Sequence, residues 1–305
     1  MGMTLSEGSA AAATVTKDVS VIEFHPCFNR GAHTKYGRIH LPVAPRCNVR
    51  CGYCVRKFDC VNESRPGVAS VVLTPEAAMQ RVRAVVERDG RLSVVGVAGP
   101  GDPLANDETL RALRLVHAEY PQVTLCLSTN GLLLPERVEE LRRLGRLTLT
   151  VTVNAVRPGT AARIYRWARL DGVTLHGIDA GMLMVERQWE GLRRADEAGI
   201  VTKLNSVLIP GVNDAEIPLI AQRAAGLGVH VMNLTPLIPQ GDFAGVMPPT
   251  PADIHAMRER CAPFLPLINH CRQCRSDACG MLGEDRDMET ETLLARVGEE
   301  YCDTV

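Results

Sequence analysis

The feature that most constrains the fold is a regular alternation of short apolar runs with amphipathic segments. The apolar runs, rich in aliphatic or β-branched residues, are Arg38–Ala44, Ser93–Ala98, Val123–Ser128, Leu147–Val153, Val201–Ile209 and His230–Pro236. The amphipathic segments, which have helical spacing, are Pro75–Arg88, Asp107–Glu119, Glu136–Leu144, Glu190–Ala198, Asp214–Leu227 and Pro251–Cys261. This order predicts parallel βαβ units whose strands are buried on both faces.

Two α/β architectures satisfy this pattern, an open doubly wound sheet and a partial (β/α) barrel, and periodicity does not separate them. In either case, functional side chains should lie at the C-terminal ends of the strands. Thr74 before Pro75 has the sequence of a helix N-cap followed by proline at the first helical position. Asn213–Asp214 is a candidate cap for the fifth helix.

Composition excludes several classes of protein. Hydrophobic residues make up 46% of the chain and aromatic residues 4%, so an aliphatic core is easily filled. The formal net charge of −1 does not indicate a basic surface for nucleic-acid binding. No apolar run approaches the roughly 20 residues needed to span a bilayer. Met1–Val15 lacks the features of a secretory signal. We expect a cytoplasmic protein whose 11 cysteines are metal ligands or free thiols.

The densest group of cysteines follows the first apolar run. Cys47, Cys51 and Cys54 have the spacing C-x3-C-x2-C. Three thiolates on one loop can bind three irons of a [4Fe–4S] cube and leave the fourth iron open, and soft thiolates suit iron–sulfur clusters. The alternative is a zinc knuckle that takes a fourth ligand from elsewhere. Spacing alone leaves both interpretations open.

The position of this loop after the first strand, with Tyr53 directly before Cys54, resembles the radical S-adenosylmethionine (SAM) superfamily, in which the open iron binds SAM. Ala98–Pro103 resembles the superfamily's glycine-rich segment that receives the SAM amino group, although an ordinary Gly-Pro turn fits it equally well. Asn154, Asn205 and Ile209–Asp214 follow in the order of the other SAM-contacting segments. The resemblance implies these SAM-contacting residues: Tyr53, Gly99, Gly101, Asp102, Asn154, Asn205 and Ile209.

Further segments make the resemblance narrower, to the NifB family of nitrogenase cofactor maturases. These segments run from His25 to Arg286 and are His25–Cys27, Arg56–Gly67, Leu125–Gly131, Cys271–Arg275 and Gly283–Arg286. The resemblance implies a partial (β/α)6 TIM-like barrel with cluster-binding extensions over its open mouth. The implied organisation is a flexible leader at 1–20, the barrel with an N-terminal ligand segment at 21–265, and a C-terminal extension at 266–305, as in the stand-alone form of the family.

The same resemblance implies two auxiliary [4Fe–4S] clusters, K1 and K2, which together with the SAM-binding cluster make three. The candidate K1 ligands are Cys27, Cys60, Cys126 and one histidine, either His40 or His25. The candidate K2 ligands are Cys271 and Cys274, and such weak ligation suits a cluster that must be released. The alternatives are a core thiol at Cys126, a core histidine at His40 and a structural zinc site at the C-terminal pair. No role is assigned to Cys261, Cys279 or Cys302.

The implied reaction fuses K1 and K2 around a SAM-derived carbide to give the [8Fe–9S–C] precursor of the nitrogenase cofactor. One SAM donates a methyl group, and a second is cleaved to a 5′-deoxyadenosyl radical that takes hydrogen from it. Removing the methyl protons requires a base within direct or one-water reach, for which Glu63 and His40 are candidates. Cys126 is a candidate methyl acceptor and Arg65 a partner of a cluster or carboxylate, with a structural Glu63–Arg65 ion pair as the alternative.

The implied partners are an iron–sulfur scaffold donor, a cofactor carrier, the cofactor scaffold complex and an electron donor such as ferredoxin or flavodoxin, with neither nucleic acid nor membrane. Two other functions are considered. One is a different radical SAM enzyme that acts on a peptide or RNA and has electron-transfer clusters; the balanced charge disfavours RNA. The other is a non-enzymatic iron–sulfur carrier or zinc module, which does not account for six βα units.

Overall fold

The computed structural model describes residues 16–62, 64–271 and 273–282. The strands are β1 (Gly37–His40), β2 (Val49–Cys51), β3 (Leu92–Val97), β4 (Thr124–Thr129), β5 (Leu147–Thr152), β6 (Tyr165–Leu170), β7 (Val173–His176), β8 (Val201–Leu208), β9 (Val231–Pro236), β10 (Leu267–Ile268) and β11 (Cys279–Gly280). The helices are α1 (Pro75–Arg88), α2 (Asp107–Glu119), α3 (Leu134–Arg142), α4 (Pro158–Ile164), α5 (Gly177–Glu197), α6 (Ile217–Gly226) and α7 (Pro251–Cys261). Predictions for Met1–Val15, Glu63, Gly283–Arg286 and Cys302 lie outside the described residues.

The main sheet contains eight of the described strands, in the order β10-β9-β8-β5-β4-β3-β1-β11. All neighbouring pairs are parallel except β1 and β11. The six predicted strands therefore lie side by side in chain order, without the reversal of order that defines a doubly wound sheet. The predicted partial (β/α)6 barrel is confirmed.

The strands are buried on both faces, as the sequence predicts. In β5, Leu147, Leu149 and Val151 belong to the main hydrophobic core, in which the strands pack against the helices. The alternate residues Thr148 and Thr150 are also buried, on the opposite face of the strand. Since side chains alternate between the two faces of a strand, this second face is the polar interior of the barrel.

Of the two predicted helix caps, one is confirmed and the other is wrong. Thr74 caps α1 as predicted, since its side chain accepts a hydrogen bond from Ala77 N at 3.2 Å. The predicted cap at Asn213–Asp214 is wrong, because α6 begins at Ile217 after Glu216. Asn213 instead uses its amide to tie the end of β8 to the β5 exit, and Asp214 accepts from the Gly211 amide at 2.6 Å.

A second, antiparallel sheet of strands β2, β6 and β7 was not predicted. Its strand β2 lies inside the cysteine loop and pairs with β6, while Gly52 N donates to Ile164 O at 2.7 Å. This sheet therefore fixes the cysteine loop against the barrel. Among the described helices, none has the length and apolar character needed to cross a membrane.

Candidate metal centre

Two adjoining cavities in the described structure contain most of the predicted ligands. The loop cavity, of about 470 Å³, is lined by Cys47, Cys51 and Cys54 and by side chains at the C-terminal ends of the strands. The inner cavity, of about 560 Å³, lies against the polar interior of the barrel. Its cysteines and histidine come from distant parts of the chain: Cys27, His40, Cys126, Cys271 and Cys274. Ala98 and Ser128 line both cavities, which places the two side by side.

Tyr53 connects the cysteine loop to the strand ends. Its ring is buried, and its hydroxyl donates a hydrogen bond to the Cys51 thiol. The same hydroxyl accepts a hydrogen bond from Asn154 Nδ2 at 2.8 Å, while Asn154 Oδ1 accepts from Val207 N at 2.8 Å. Asn154, at the end of β5, therefore connects β8 to the cysteine loop. Both the nitrogen and the oxygen of its side-chain amide form hydrogen bonds within the protein.

The loop thiols need a positive partner to ionise. Burial raises the pKa of Cys47 to about 11, and the charge of Asp102 adds to that rise. Burial also raises the pKa of Cys51 well above its ordinary value, and the neighbouring thiols of Cys54 and Cys47 raise it further. Iron ions supply the positive charge that stabilises thiolates. Three sulfur donors on one cavity wall therefore fit a [4Fe–4S] cluster with one open iron.

The glycine-rich segment is shaped by close backbone packing. Gly101 N donates to Ala44 O at 2.5 Å, and a Cβ at position 101 would lie 2.1 Å from Arg46 O. Gly101 and Asp102 both line the loop cavity. A Cβ at Gly99 would instead meet Ser276 Oγ at 2.5 Å, so this glycine lies against the C-terminal segment. The segment thus brings backbone atoms to the loop cavity where a larger residue would not fit.

Asp102 links this segment to the end of β4. Its carboxylate accepts hydrogen bonds from Asn130 N at 2.6 Å, Leu104 N at 3.0 Å and Thr129 Oγ1 at 3.0 Å. Burial raises the pKa of Asp102 to about 6 although these donors oppose the rise. Asp102 therefore positions the wall of the loop cavity as well as lining it.

The other two predicted SAM-contacting residues lie on and after β8. Asn205 is in register with Thr152 of β5, which lines the loop cavity, and with Asn233 of β9. Ile209 is fully buried, and its backbone N–H donates to Asn213 Oδ1 at 2.8 Å. Asn205 thus shares a row with a cavity residue, whereas Ile209 packs at the strand exit.

The inner cavity is organised by strand register. His40, Gly96 and Cys126 are aligned across β1, β3 and β4. A Cβ at Gly96 would lie 3.1 Å from His40 Cδ2 and 3.5 Å from Cys126 Cβ, so the glycine leaves space between the two side chains. The next interior row contains Ser128, Thr150 and Lys203, which also line the cavity.

The two candidate histidines differ in their hydrogen bonds. His40 Nδ1 lies 3.1 Å from Arg275 O, and because a carbonyl only accepts, this nitrogen is the donor and Nε2 has the lone pair. Metal-binding histidines commonly show this arrangement. His25 Nδ1 accepts from Cys27 N at 3.1 Å, so its neutral ring has the proton on Nε2. Burial lowers the pKa of His25 well below its ordinary value, which keeps that ring neutral.

The C-terminal segment 273–282 is fastened to β1 by a buried arginine. Arg38 Nη2 donates to Cys274 Sγ at 2.9 Å, and Nη1 donates to Gly280 O at 2.7 Å and Met281 O at 3.0 Å. Cys274 is buried, whereas Cys271 is exposed at the edge of the inner cavity. Burial raises the pKa of Cys27 to about 12, and the charge of Lys203 opposes that rise.

Some predicted site residues lie elsewhere. Cys60 lines the loop cavity with the three loop cysteines, apart from Cys27 and Cys126 in the inner cavity. Arg65 is exposed, and Cys261 and Cys279 belong to the main hydrophobic core. Within the described parts of the chain, no three His, Cys, Asp or Glu side chains converge closely enough to hold a single metal ion.

Several known proteins are similar to this chain in sequence. The family model for the radical SAM superfamily matches residues 41–224. The chain is 47% identical over 278 residues to the FeMo cofactor biosynthesis protein NifB of Klebsiella pneumoniae, covering 89% of this chain and 59% of that protein. It is 42% identical over 306 residues to NifB of Frankia alni, covering 96% and 60%. The resemblance to NifB is confirmed, and the chain spans about three fifths of these relatives' length.

Solved structures share the fold. SuiB of Streptococcus suis, bound to S-adenosylmethionine, superposes with a TM-score of 0.57 at 13% identity, covering 78% of this chain and 52% of that one. A radical SAM methyltransferase from Sphaerobacter thermophilus gives a TM-score of 0.52 at 22% identity, covering 76% and 64%. At these identities the likeness concerns the barrel alone.

Proposed function

Because this chain belongs to the radical SAM superfamily, we propose that it builds an iron–sulfur precursor of the nitrogenase cofactor, as the name of its NifB relatives indicates for them. The reaction would join two [4Fe–4S] substrate clusters around a carbon atom derived from SAM. Cys47, Cys51 and Cys54 would hold the SAM-binding cluster. That cluster, when bound, supplies the electron for reductive cleavage of SAM.

The observation that supports this proposal is the composition of the inner cavity. Four cysteines and a histidine line the inner cavity, which lies beside the loop cavity. These residues are far apart in the sequence, from Cys27 to Cys274. An electron-transfer cluster is usually held by four thiolates, whereas a substrate cluster must be released. If the four cysteines of the inner cavity are divided between two clusters, each cluster has fewer than four bonds to thiolates of the protein. The adjacency of the cavities would put these substrates beside the proposed SAM site.

Individual residues have proposed roles in this site. His40 would ligate the K1 substrate cluster through Nε2, while Arg275 O fixes its ring orientation. Cys27 and Cys126 would be further K1 ligands, with Cys126 also placed to accept a methyl group. Cys271 and Cys274 would hold K2. Glu63 as a base or proton relay, and Arg65 as a partner of a cluster or carboxylate, stay proposals from the sequence.

The SAM-contacting roles rest on the loop cavity. Gly101 and Asp102 line it, and Tyr53 orients the Cys51 sulfur. We further propose that the partners are an iron–sulfur scaffold donor, a cofactor carrier, the cofactor scaffold complex and a ferredoxin or flavodoxin. The N-terminal and C-terminal segments at 21–36 and 266–282 would act as cluster-binding extensions of the barrel, because both contribute cysteines to the inner cavity.

The test is an anaerobic incubation of the reconstituted protein with dithionite and methyl-labelled SAM. Methionine, S-adenosylhomocysteine and 5′-deoxyadenosine should form together, with label retained in an iron–sulfur species. Wild-type protein should contain about twelve irons, four for each cube. Deoxyadenosine without S-adenosylhomocysteine or cluster label would assign the chain to another radical SAM reaction, and would contradict the proposal.

Variants separate the two cavities. Replacing Cys47, Cys51 and Cys54 with Ala should abolish deoxyadenosine formation. Replacing Cys271 and Cys274 with Ala should remove about one cube of iron while SAM cleavage continues. Cys261→Ala is the matched control, since this buried core thiol lines neither cavity and its loss should leave the iron content unchanged.

A further inference from the structure

The small sheet of β2, β6 and β7 has one side packed on the molecule and one side in solvent. Val49, Ala168 and Leu175 belong to the hydrophobic cluster around the cysteine loop, so their side of the sheet faces inward. Side chains alternate between the two faces of a strand, which turns the residues between them outward. The outer face of the small sheet consists of Arg50, Trp167, Arg169, Thr174 and His176.

The outer face is basic. The three strands of the small sheet contain three arginines and no acidic residue. Arg166, on the inward side of β6, is paired with Asp242 at 2.5 Å. No carboxylate among the described residues forms an ion pair with Arg50 or Arg169. One acidic residue, Asp171, follows β6 in the hairpin turn. The outer face thus concentrates positive charge on a chain whose formal net charge is −1.

A tryptophan lies between these two charges. Trp167 is in register with Arg50 on one side and with His176 on the other, and Arg169 follows two residues later on the same face. Trp167 is half-buried, whereas the other tryptophan of the chain, Trp189, is only 3% exposed. Tryptophan and arginine are enriched among the residues that supply most of the binding energy in protein interfaces. The outer face therefore has the composition of a protein-binding surface.

The outer face adjoins the cysteine loop. Arg50 directly precedes Cys51, and both belong to β2. Burial raises the pKa of Cys54, and the charges of Arg56 and Arg50 oppose that rise, so the charge of Arg50 acts on this thiol as well. A cluster bound by the loop cysteines would lie behind the outer face. A partner on this face would approach that cluster without entering the loop cavity.

We propose that the outer face docks a small acidic protein that carries a low-potential one-electron centre and reduces the SAM-binding cluster. This inference rests on the proposed function, because a cluster that cleaves SAM reductively needs this electron. In the encounter, the centre of the partner is oxidised by one electron and the cluster is reduced by one electron. Opposite charges accelerate and orient such encounters. The limited area of a three-stranded face suits redox partners, which bind through small interfaces and separate again.

The test uses the reconstituted full-length protein and a purified flavodoxin with an acidic surface, under anaerobic conditions. Two quantities are measured at low ionic strength: the Kd for oxidised flavodoxin by calorimetry, and the initial rate of 5′-deoxyadenosine formation with flavodoxin hydroquinone as the reductant. The variants are Arg169→Glu and Trp167→Ala, and Arg50 is left unchanged because it adjoins Cys51. Arg260→Glu is the matched control, since it makes the same change of charge at an exposed arginine of α7.

Arg169→Glu should weaken flavodoxin binding and slow the flavodoxin-driven rate by about three- to tenfold, and the difference should shrink at high salt because surface charges are screened. Trp167→Ala should weaken binding by about tenfold at low and high salt alike, since its contribution is apolar. With excess dithionite, both variants should form deoxyadenosine at the wild-type rate, which shows that the fold and the cluster are intact. Arg260→Glu should behave like wild type throughout.

Flavodoxin binding and rates in Arg169→Glu that equal those of Arg260→Glu would overturn the inference, as would a wild-type protein that does not bind the flavodoxin. Equal losses in the dithionite-driven and flavodoxin-driven rates would overturn it too, because the cluster site rather than docking would then be affected. Loss of binding to an RNA probe instead of flavodoxin would assign the outer face to nucleic acid. If wild-type protein forms no deoxyadenosine with excess dithionite, the proposed function has failed, which is distinct from a failure at the outer face.

Discussion

Replacing Arg38 with Met should undock the C-terminal segment from the barrel. The guanidinium is fully buried and donates to two carbonyl oxygens, Gly280 O and Met281 O, and to the Cys274 sulfur. The strand pairing that also holds this segment involves only the two residues of β11. The arginine is therefore a principal attachment of the segment that presents Cys274 to the inner cavity.

The magnitude follows from these contacts. A hydrogen bond from a charged group contributes about 1.5–3 kcal/mol, so the two carbonyl contacts are worth roughly 3–6 kcal/mol. Methionine also removes a buried charge, which offsets part of the loss. We expect a net loss of about 3 kcal/mol in local stability, and this corresponds to an increase of roughly a hundredfold in the opening of 273–282. Global stability should change much less, because the main core is untouched.

The assay is hydrogen exchange of peptides covering 276–282, together with alkylation of Cys274 in the apoprotein. Both should become faster in Arg38→Met by about the same factor. Arg91→Met is the control, because Arg91 reaches the same segment from the exposed surface, at 3.6 Å from Met281 Sδ. Exchange in Arg38→Met that equals the control would refute the view that this arginine docks the segment.

Three further predictions concern the loop cavity and the core. Gly101→Ala should prevent loading of the SAM-binding cluster, because its Cβ would lie 2.1 Å from Arg46 O. Gly90→Ala is the control, since a Cβ at that position would meet open space. Iron content and deoxyadenosine formation measure the difference between the two variants. Cys279→Ala should lower the free energy of unfolding by about 1–2 kcal/mol, read from denaturant melts, yet keep full iron content, because this thiol is in the core. Asp102 has a folded-state pKa of about 6, above its unfolded value, so its stabilising contribution is present at low pH and is lost as the pH rises. The loss is about 3 kcal/mol between pH of about 4 and 6. In Asp102→Asn, the free energy of unfolding from denaturant melts should no longer fall over this pH range, and an unchanged slope would contradict the reasoning.

The barrel could be predicted closely because its elements depend on local periodicity. Helices α1, α2 and α7 begin and end at the predicted residues, where Thr74 and Thr250 cap two of them next to proline. The small sheet could not be predicted in this way. Strand β7 is largely exposed and β2 has three residues, so neither has the apolar pattern of a buried strand. Tertiary pairing with β6, rather than local sequence, forms this sheet.

The site was predictable where the chemistry depends on cysteine spacing. The three loop cysteines line one cavity, and distant cysteines line the other, while the ligand roles implied by the resemblance stay predictions. Arg38 and Lys203 were missed. In a sequence, a basic residue inside an apolar run gives no sign of which face of the strand it occupies. Only the register, which aligns Lys203 with Thr150 of β5, places its side chain inside the barrel.

The position of Cys60 bears on how the proposed fusion of substrate clusters would occur. With Cys60 in the loop cavity, the inner cavity has Cys27, Cys126 and His40 at the barrel wall and Cys271 and Cys274 on the C-terminal segment. Under the proposed function, the described cavity residues would give each substrate cluster at most three protein donors, all on the walls of one cavity. Clusters held in this way would not need to travel between compartments to meet. Docking of the C-terminal segment, which Arg38 fastens to β1, would then determine whether Cys274 faces the same cavity as Cys27 and Cys126.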